Sequence, residues 1–189
     1  ITNSGTDGKG ISADLNVTIS GTAQITVTNS GAQGKAIKAD GNIIIDGGTT
    51  TANLSGATVL TASGSGFDPS YPSGLKATGT ITINSGSVTV TGTTAATGTK
   101  GISADGNITI NGGTINVTTT GNGAVYTNTT GTVDSYSSAA ITTDANLVIN
   151  AGTITTSSSG TGGKGLKADG TMTIGTVSTS PTLNITTTG

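Results

Sequence analysis

Cysteine, histidine, tryptophan, glutamate and arginine do not occur in this chain, and methionine and phenylalanine occur once each. Without cysteine there is no disulfide framework. Without His, Cys, Glu or Arg, any catalysis would fall to Asp, Lys, Ser, Thr and Tyr. A lysine base would need a pKa depressed by burial or by neighbouring charge. The lysines mostly recur in columns along the chain, which suits a structural part, so the chain reads as a non-enzyme. Charged residues make up 8% of the total and the net charge is −2. That gives no basic face of the kind nucleic acid demands. No apolar run is long enough to span a bilayer, so membrane insertion is not expected. Aromatic residues make up 2%, and so few large apolar side chains would starve an ordinary globular core.

What the chain has instead is self-similarity. The line Lys100-Gly-Ile-Ser-Ala-Asp-Gly-Asn-Ile-Thr-Ile recurs with its central apolar residue at Ile11, Ile37, Leu75, Ile102, Ile141 and Leu166. Spacings of 26, 38, 27, 39 and 25 residues alternate short and long. The unit is therefore a double coil of roughly 65 residues, present three times, and periods of this kind indicate a solenoid. Within a copy, Ile102-Ser103-Ala104, Ile108-Thr109-Ile110 and Ile115-Asn116-Val117 alternate apolar and polar residues between Gly- and Asn-rich turns. Period-two alternation with β-branched residues predicts half-buried strands. The expected fold is all-β: a single-stranded parallel β-helix (β-solenoid) of six coils with three strands each, forming one domain over residues 1–189. Its core would be apolar columns such as Ile43, Ile81, Ile108 and Leu147, each coil burying its face on the next.

Three features face outward. The third strands present Thr26/Thr28, Asn53/Ser55, Thr89/Thr91, Asn116/Thr118, Thr155/Ser157 and Asn184/Thr186. This uncharged field suits sugar hydroxyls, resembles the threonine arrays of ice-binding solenoids, and is equally what a solvated stacked strand tolerates. Lys and Asp recur five residues apart at Lys9/Asp14, Lys35/Asp40, Lys100/Asp105 and Lys164/Asp169, with Ser73 and Thr78 in the third copy. Their joint loss there predicts two mutually neutralising columns; the alternative is Ca²⁺ on Asp105, Asp169 and above all Asp144, whose copy carries Ala139 in place of Lys. Finally, insertions before the third and fifth copies hold every aromatic residue: Phe67 and Tyr71 in one, Tyr126 and Tyr136 in the other, with Asp68 and Asp134 at matching positions. Insertions at one phase of a repeat project from the same side, often the binding side. Carbohydrate-binding residues are thus expected at Phe67, Asp68, Tyr71, Tyr126, Asp134 and Tyr136, and on the face of Thr89, Thr91, Asn116 and Thr118.

The stretches 98–121 (GTKGISADGNITINGGTINVTTTG), 8–20 (GKGISADLNVTIS) and 159–175 (SGTGGKGLKADGTMTIG) resemble the bacterial carbohydrate-binding β-helix domain family, and the likeness runs through all six copies. It implies a right-handed, pectate-lyase-like β-helix on an exported, cell-surface protein, binding plant-type or acidic polysaccharide without catalysis and with calcium. Lower acidity and Thr143-Asp144-Ala145 depart from the family pattern. The chain begins without Met and starts and stops inside third-strand motifs, which points to a piece of a longer exported chain. Uncapped apolar columns would also invite head-to-tail self-stacking into an extracellular fibre.

Overall fold

A parallel ladder of equivalent residues dominates the structure. The computed structural model describes all 189 residues, Ile1–Gly189, and every regular element in it is a β-strand. No helix is long and apolar enough to cross a membrane. The first strands of the repeats, Lys9–Ala13, Lys35–Ala39, Ser73–Ala77, Lys100–Ala104, Ala139–Thr143 and Lys164–Ala168, form a six-stranded parallel sheet in sequence order. Its register matches the expected columns: Ile11 pairs with Ile37, then Leu75, Ile102, Ile141 and Leu166. Second and third strands share an eleven-stranded parallel sheet. There Val17, Ile43, Ile81, Ile108, Leu147 and Met172 pair in series. Only two short hairpins are antiparallel.

The alternation that predicted the strands also places the core. One cluster of 28 buried residues holds the central members of the Ile/Leu, Ala and paired Ile columns, with Ile11, Ala13, Leu166 and Ala168 packed partly buried at its ends. Full burial of each such aliphatic side chain contributes about 1.5–3 kcal/mol. The columns thin at the last repeat, where Met172 and Ile174 are partly exposed.

Two corners have their own stitching. At one, Asn150 Nδ2 donates to Asn111 Oδ1 (2.8 Å), Asn111 Nδ2 to Asn84 Oδ1 (2.7 Å) and Asn84 Nδ2 to Asp46 Oδ1 (2.6 Å). Beside this ladder stacks a file of glycines with positive φ: Gly48 (73°), Gly86 (89°), Gly113 (88°) and Gly152 (101°). A Cβ on Gly113 would sit 2.7 Å from the Gly86 carbonyl oxygen, so both the backbone shape and the close stacking require glycine. In the second and third repeats this corner is a register irregularity inside continuous strands, Ile43–Leu54 and Ile81–Gly92, and not the expected break between two strands. At the other corner Asn16, Asn42, Asn107 and Asn146 each accept a backbone N–H of the next repeat through Oδ1.

Two expectations are corrected. The second repeat presents Thr51 and Asn53 beside Thr89 and Thr91, not Asn53 and Ser55. The cause is Thr50, which fills a fully buried core position where an apolar residue is expected. The Lys–Asp columns do not pair at the five-residue offset either. Lys35 and Asp40 lie at opposite ends of one strand, roughly 16 Å apart at strand rise. Instead Asp40, Asp105 and Asp169 pair with Lys38, Lys76 and Lys167, while Lys9 turns to Asp7.

Candidate functional site

The insertions are hairpins. Val59–Ser63 pairs with Gly66–Ser70 across a two-residue Gly64-Ser65 turn, with Gly64 at φ 57°. Glycine at the first turn position is what a type II′ hairpin needs. Ala124–Thr127 pairs with Val133–Tyr136, and Asn128 Oδ1 organises the loop by accepting N–H groups of Thr130 and Thr132. A parallel bridge, Phe67 to Asn128, joins the two hairpins.

This brings three tyrosines together. Tyr71 and Tyr136 meet edge-on with ring centroids 5.9 Å apart, and Tyr126 lies 6.1 Å from Tyr136. Tyr126 Oη donates to Asp134 Oδ2 at 3.2 Å. Burial pushes the Tyr71 phenol well above its ordinary range, with Tyr126, Asp134 and Asp68 adding negative potential. The Tyr126 phenol is also raised, by desolvation and then by Asp134. Phe67 stands apart: it pairs with Ala62, is 40% exposed and joins no ring contact. Thr89, Thr91, Asn116 and Thr118 pair side by side on the eleven-stranded sheet, away from the tyrosines.

Beneath the tyrosines lies a cleft of about 280 Å³ on the outer face of the six-stranded sheet. That is at the small end of ligand pockets, which run about 300–1,000 Å³. Tyr71 and Tyr136 form one wall, and Lys76, Lys100, Lys164 and Lys167 reach it from the sheet. Sequence reasoning missed these lysines as site residues, because the columns looked purely structural. They share a face because alternation breaks in each first strand. A Cβ on Gly101 would strike Val117 inside, and Ile102 is also buried, so Lys100 and Ser103 both face out.

Lys100 is the most perturbed of them. Its Nζ donates to the Ser137 carbonyl (2.6 Å) and stands 4.4 Å from the Tyr71 ring centroid, a cation–π contact. Burial first, then Lys164 and Lys167, push its ammonium down to about 8, with Asp144 opposing. Packing under the tyrosine loops desolvates this lysine, although it belongs to a repeating column. Lys164 Nζ donates to Ser137 Oγ (2.6 Å) and to the Gly162 carbonyl (3.2 Å).

A calcium site does not fit this donor set. No three carboxylates converge anywhere. Asp105 and Asp169 are tied to Lys76 and Lys167, and Asp144 sits in the lysine cleft. Calcium takes six to eight oxygen ligands, and ammonium groups around a lone carboxylate repel it.

Fold and site together define an all-β repeat protein with parallel sheets and a small aromatic cleft over a cationic face. Residues 9–183 match the profile of a family described as carbohydrate-binding domain-containing protein, and the chain belongs to that family. Comparisons with curated proteins and with solved structures returned no match.

Proposed function

We propose that the chain is a non-catalytic, polysaccharide-binding β-helix that works at the cell surface or in the surrounding matrix. The β-helix reading is supported by in-register parallel pairing of the first, second and third strands with their equivalents in the next repeat. Parallel crossovers are right-handed in nearly all proteins, which sets the expected hand. The surface location follows from the likeness of the repeat line to domains on exported proteins. The family description favours binding over chemistry.

One observation carries the binding reading. Tyr71 and Tyr136, 65 residues apart in sequence and on separate insertions, meet over a polar cleft. Aromatic faces offer flat apolar area at low entropic cost, and the surrounding hydroxyls and amines match sugar hydroxyls. The third-strand Thr/Asn face is a separate surface and is not needed for this reading.

Affinity electrophoresis and calorimetry against a panel of soluble neutral and charged polysaccharides test it. The native protein is expected to bind at least one of them. Tyr71→Ala and Tyr136→Ala should each weaken that binding tenfold or more, with the circular dichroism spectrum unchanged. Undiminished binding by both variants would remove the tyrosine cleft as the site.

A further inference from the structure

The next inference rests on the polysaccharide reading and concerns how much of a sugar chain is held, and in which direction. The cleft beneath the tyrosines is one of three hollows that run into one another. A second, of about 260 Å³, shares Tyr71, Lys76, Lys100 and Ser103 with it and reaches back to Lys35 and Pro69. A third, of about 300 Å³, shares Ser135, Tyr136, Ser137 and Lys164 with it and reaches forward to Val125 and Thr161. Tyr71 and Tyr136 therefore stand at the two junctions.

The order of the hollows follows the order of the repeats. Beneath them runs the file Lys35, Ser73, Lys100, Ala139 and Lys164, paired in register from the second repeat to the sixth. At about 4.8 Å per step, four steps make a groove roughly 19 Å long, at right angles to the strands.

One side of this groove is walled. The hairpins end at Ser70 and Tyr136, just before the first strands that open at Ser73 and Ala139. Both insertions thus rise at the same end of the six-stranded sheet, and the Phe67–Asn128 bridge makes one wall of the two. A sugar chain laid along the strands would run into that wall. Laid along the repeat axis, it passes from hollow to hollow.

We propose that the three hollows are consecutive subsites of one groove, which holds about four sugar units of a single extended chain lying along the repeat axis. Tyr71 and Tyr136 pack against the chain where one subsite gives way to the next. An extended pyranose chain advances per unit by a length close to the strand spacing, so successive units meet successive repeats. Each hollow alone is at the small end of ligand pockets, and their continuity is what fits them to a polymer. The freedom lost on immobilising a ligand is lost largely once per chain, so each further unit that finds a subsite adds to affinity.

The test uses gluco-, xylo-, manno- and galacturono-oligosaccharides of two, four, six and eight units, followed by titration calorimetry and tyrosine fluorescence. The chain has no tryptophan and its three tyrosines cluster on the groove wall, so their emission reports occupancy of this groove. For at least one series, affinity should rise about tenfold or more from two units to four and change by less than about twofold from six to eight. Tyrosine emission should change over the same concentrations. Pro69→Trp and Thr161→Trp fill opposite ends of the groove, and by calorimetry each should weaken the hexasaccharide about tenfold. The disaccharide still finds the middle subsite, so its unchanged affinity shows that both variants are folded. Thr118→Trp, on the third-strand face, should alter neither sugar. A disaccharide that binds as tightly as the hexasaccharide overturns the proposal and leaves the polysaccharide reading standing. Affinity that still climbs from six units to eight overturns it as well. So does hexasaccharide binding that leaves tyrosine emission unchanged or that neither end variant weakens. Binding of none of the four series overturns it, and failure across the polysaccharide panel as well overturns both.

Discussion

Raising the pH from 7 to 10 is expected to stabilise this protein, and Lys100 supplies most of the effect. In the unfolded chain its ammonium titrates at 10.5, and in the folded protein at about 8. Between those values the unfolded chain holds a proton that the folded protein has released, so stability climbs with pH. The penalty for a charged Lys100 is present in full below pH 8 and is relieved as pH rises toward 10.5. At 1.36 kcal/mol per pKa unit the relief amounts to about 3 kcal/mol. Lys35, lowered by burial, acts in the same direction. Tyr71 acts in the opposite sense: its phenol stays protonated in the fold while the unfolded chain ionises near 10, so stability falls again above that pH. A stability maximum near pH 10 is the signature. For a chain of this size, 1 kcal/mol moves Tm by about 2–4 °C, so a rise of roughly 5–10 °C between pH 7 and 10 is expected. Scanning calorimetry at constant ionic strength measures it, with Lys100→Met as the comparison. That variant should melt higher than the native protein at pH 7, and the gap should close by pH 10. A native Tm that is flat or falls over this range would refute the reasoning, as would an equal rise in Lys100→Met.

Three substitutions probe the scaffold. The hydroxyls of Thr50 and Thr156 are buried without a hydrogen-bond partner, so Thr50→Val and Thr156→Val should each stabilise by about 1–3 kcal/mol, read as a higher urea midpoint. Their sites lie three repeats apart, roughly 14 Å, so the two gains should add. Gly113→Ala forces an L side chain into φ 88° and against the Gly86 carbonyl, and a loss of about 1–3 kcal/mol is expected in the same assay. Ile102→Ala empties a fully buried position in the middle of its column and should cost about 2–5 kcal/mol.

The core was legible because the pleat forces period-two alternation, and stacking forces the same residue type into the same place in every repeat. Where a residue fits the column badly the pattern misleads, and the polar Thr50 displaces the expected third-strand face by two positions. The hairpins were not legible as strands, since Gly66-Phe67-Asp68-Pro69-Ser70 carries little β signal and is held by its partner and the neighbouring hairpin. Their tyrosines were legible as a candidate site because they break the repeat. The lysines were not, because they repeat it.

A signal for the lysines was nonetheless present in the sequence. The column that holds Lys9, Lys35, Lys100 and Lys164 is interrupted only at Ser73 and Ala139, the two repeats that follow an insertion. Read as paired loss of Lys and Asp, the gap suggested charge balance. The structure gives another cause. Tyr71 lies beside Ser73 and Tyr136 beside Ala139, so small residues leave room for the rings. Lys100 stands in the repeat between them, with its ammonium against the face of Tyr71. Loss of lysine and arrival of tyrosine are thus one structural event. It sets walls around part of a charged file, and within them the Lys100 ammonium is desolvated.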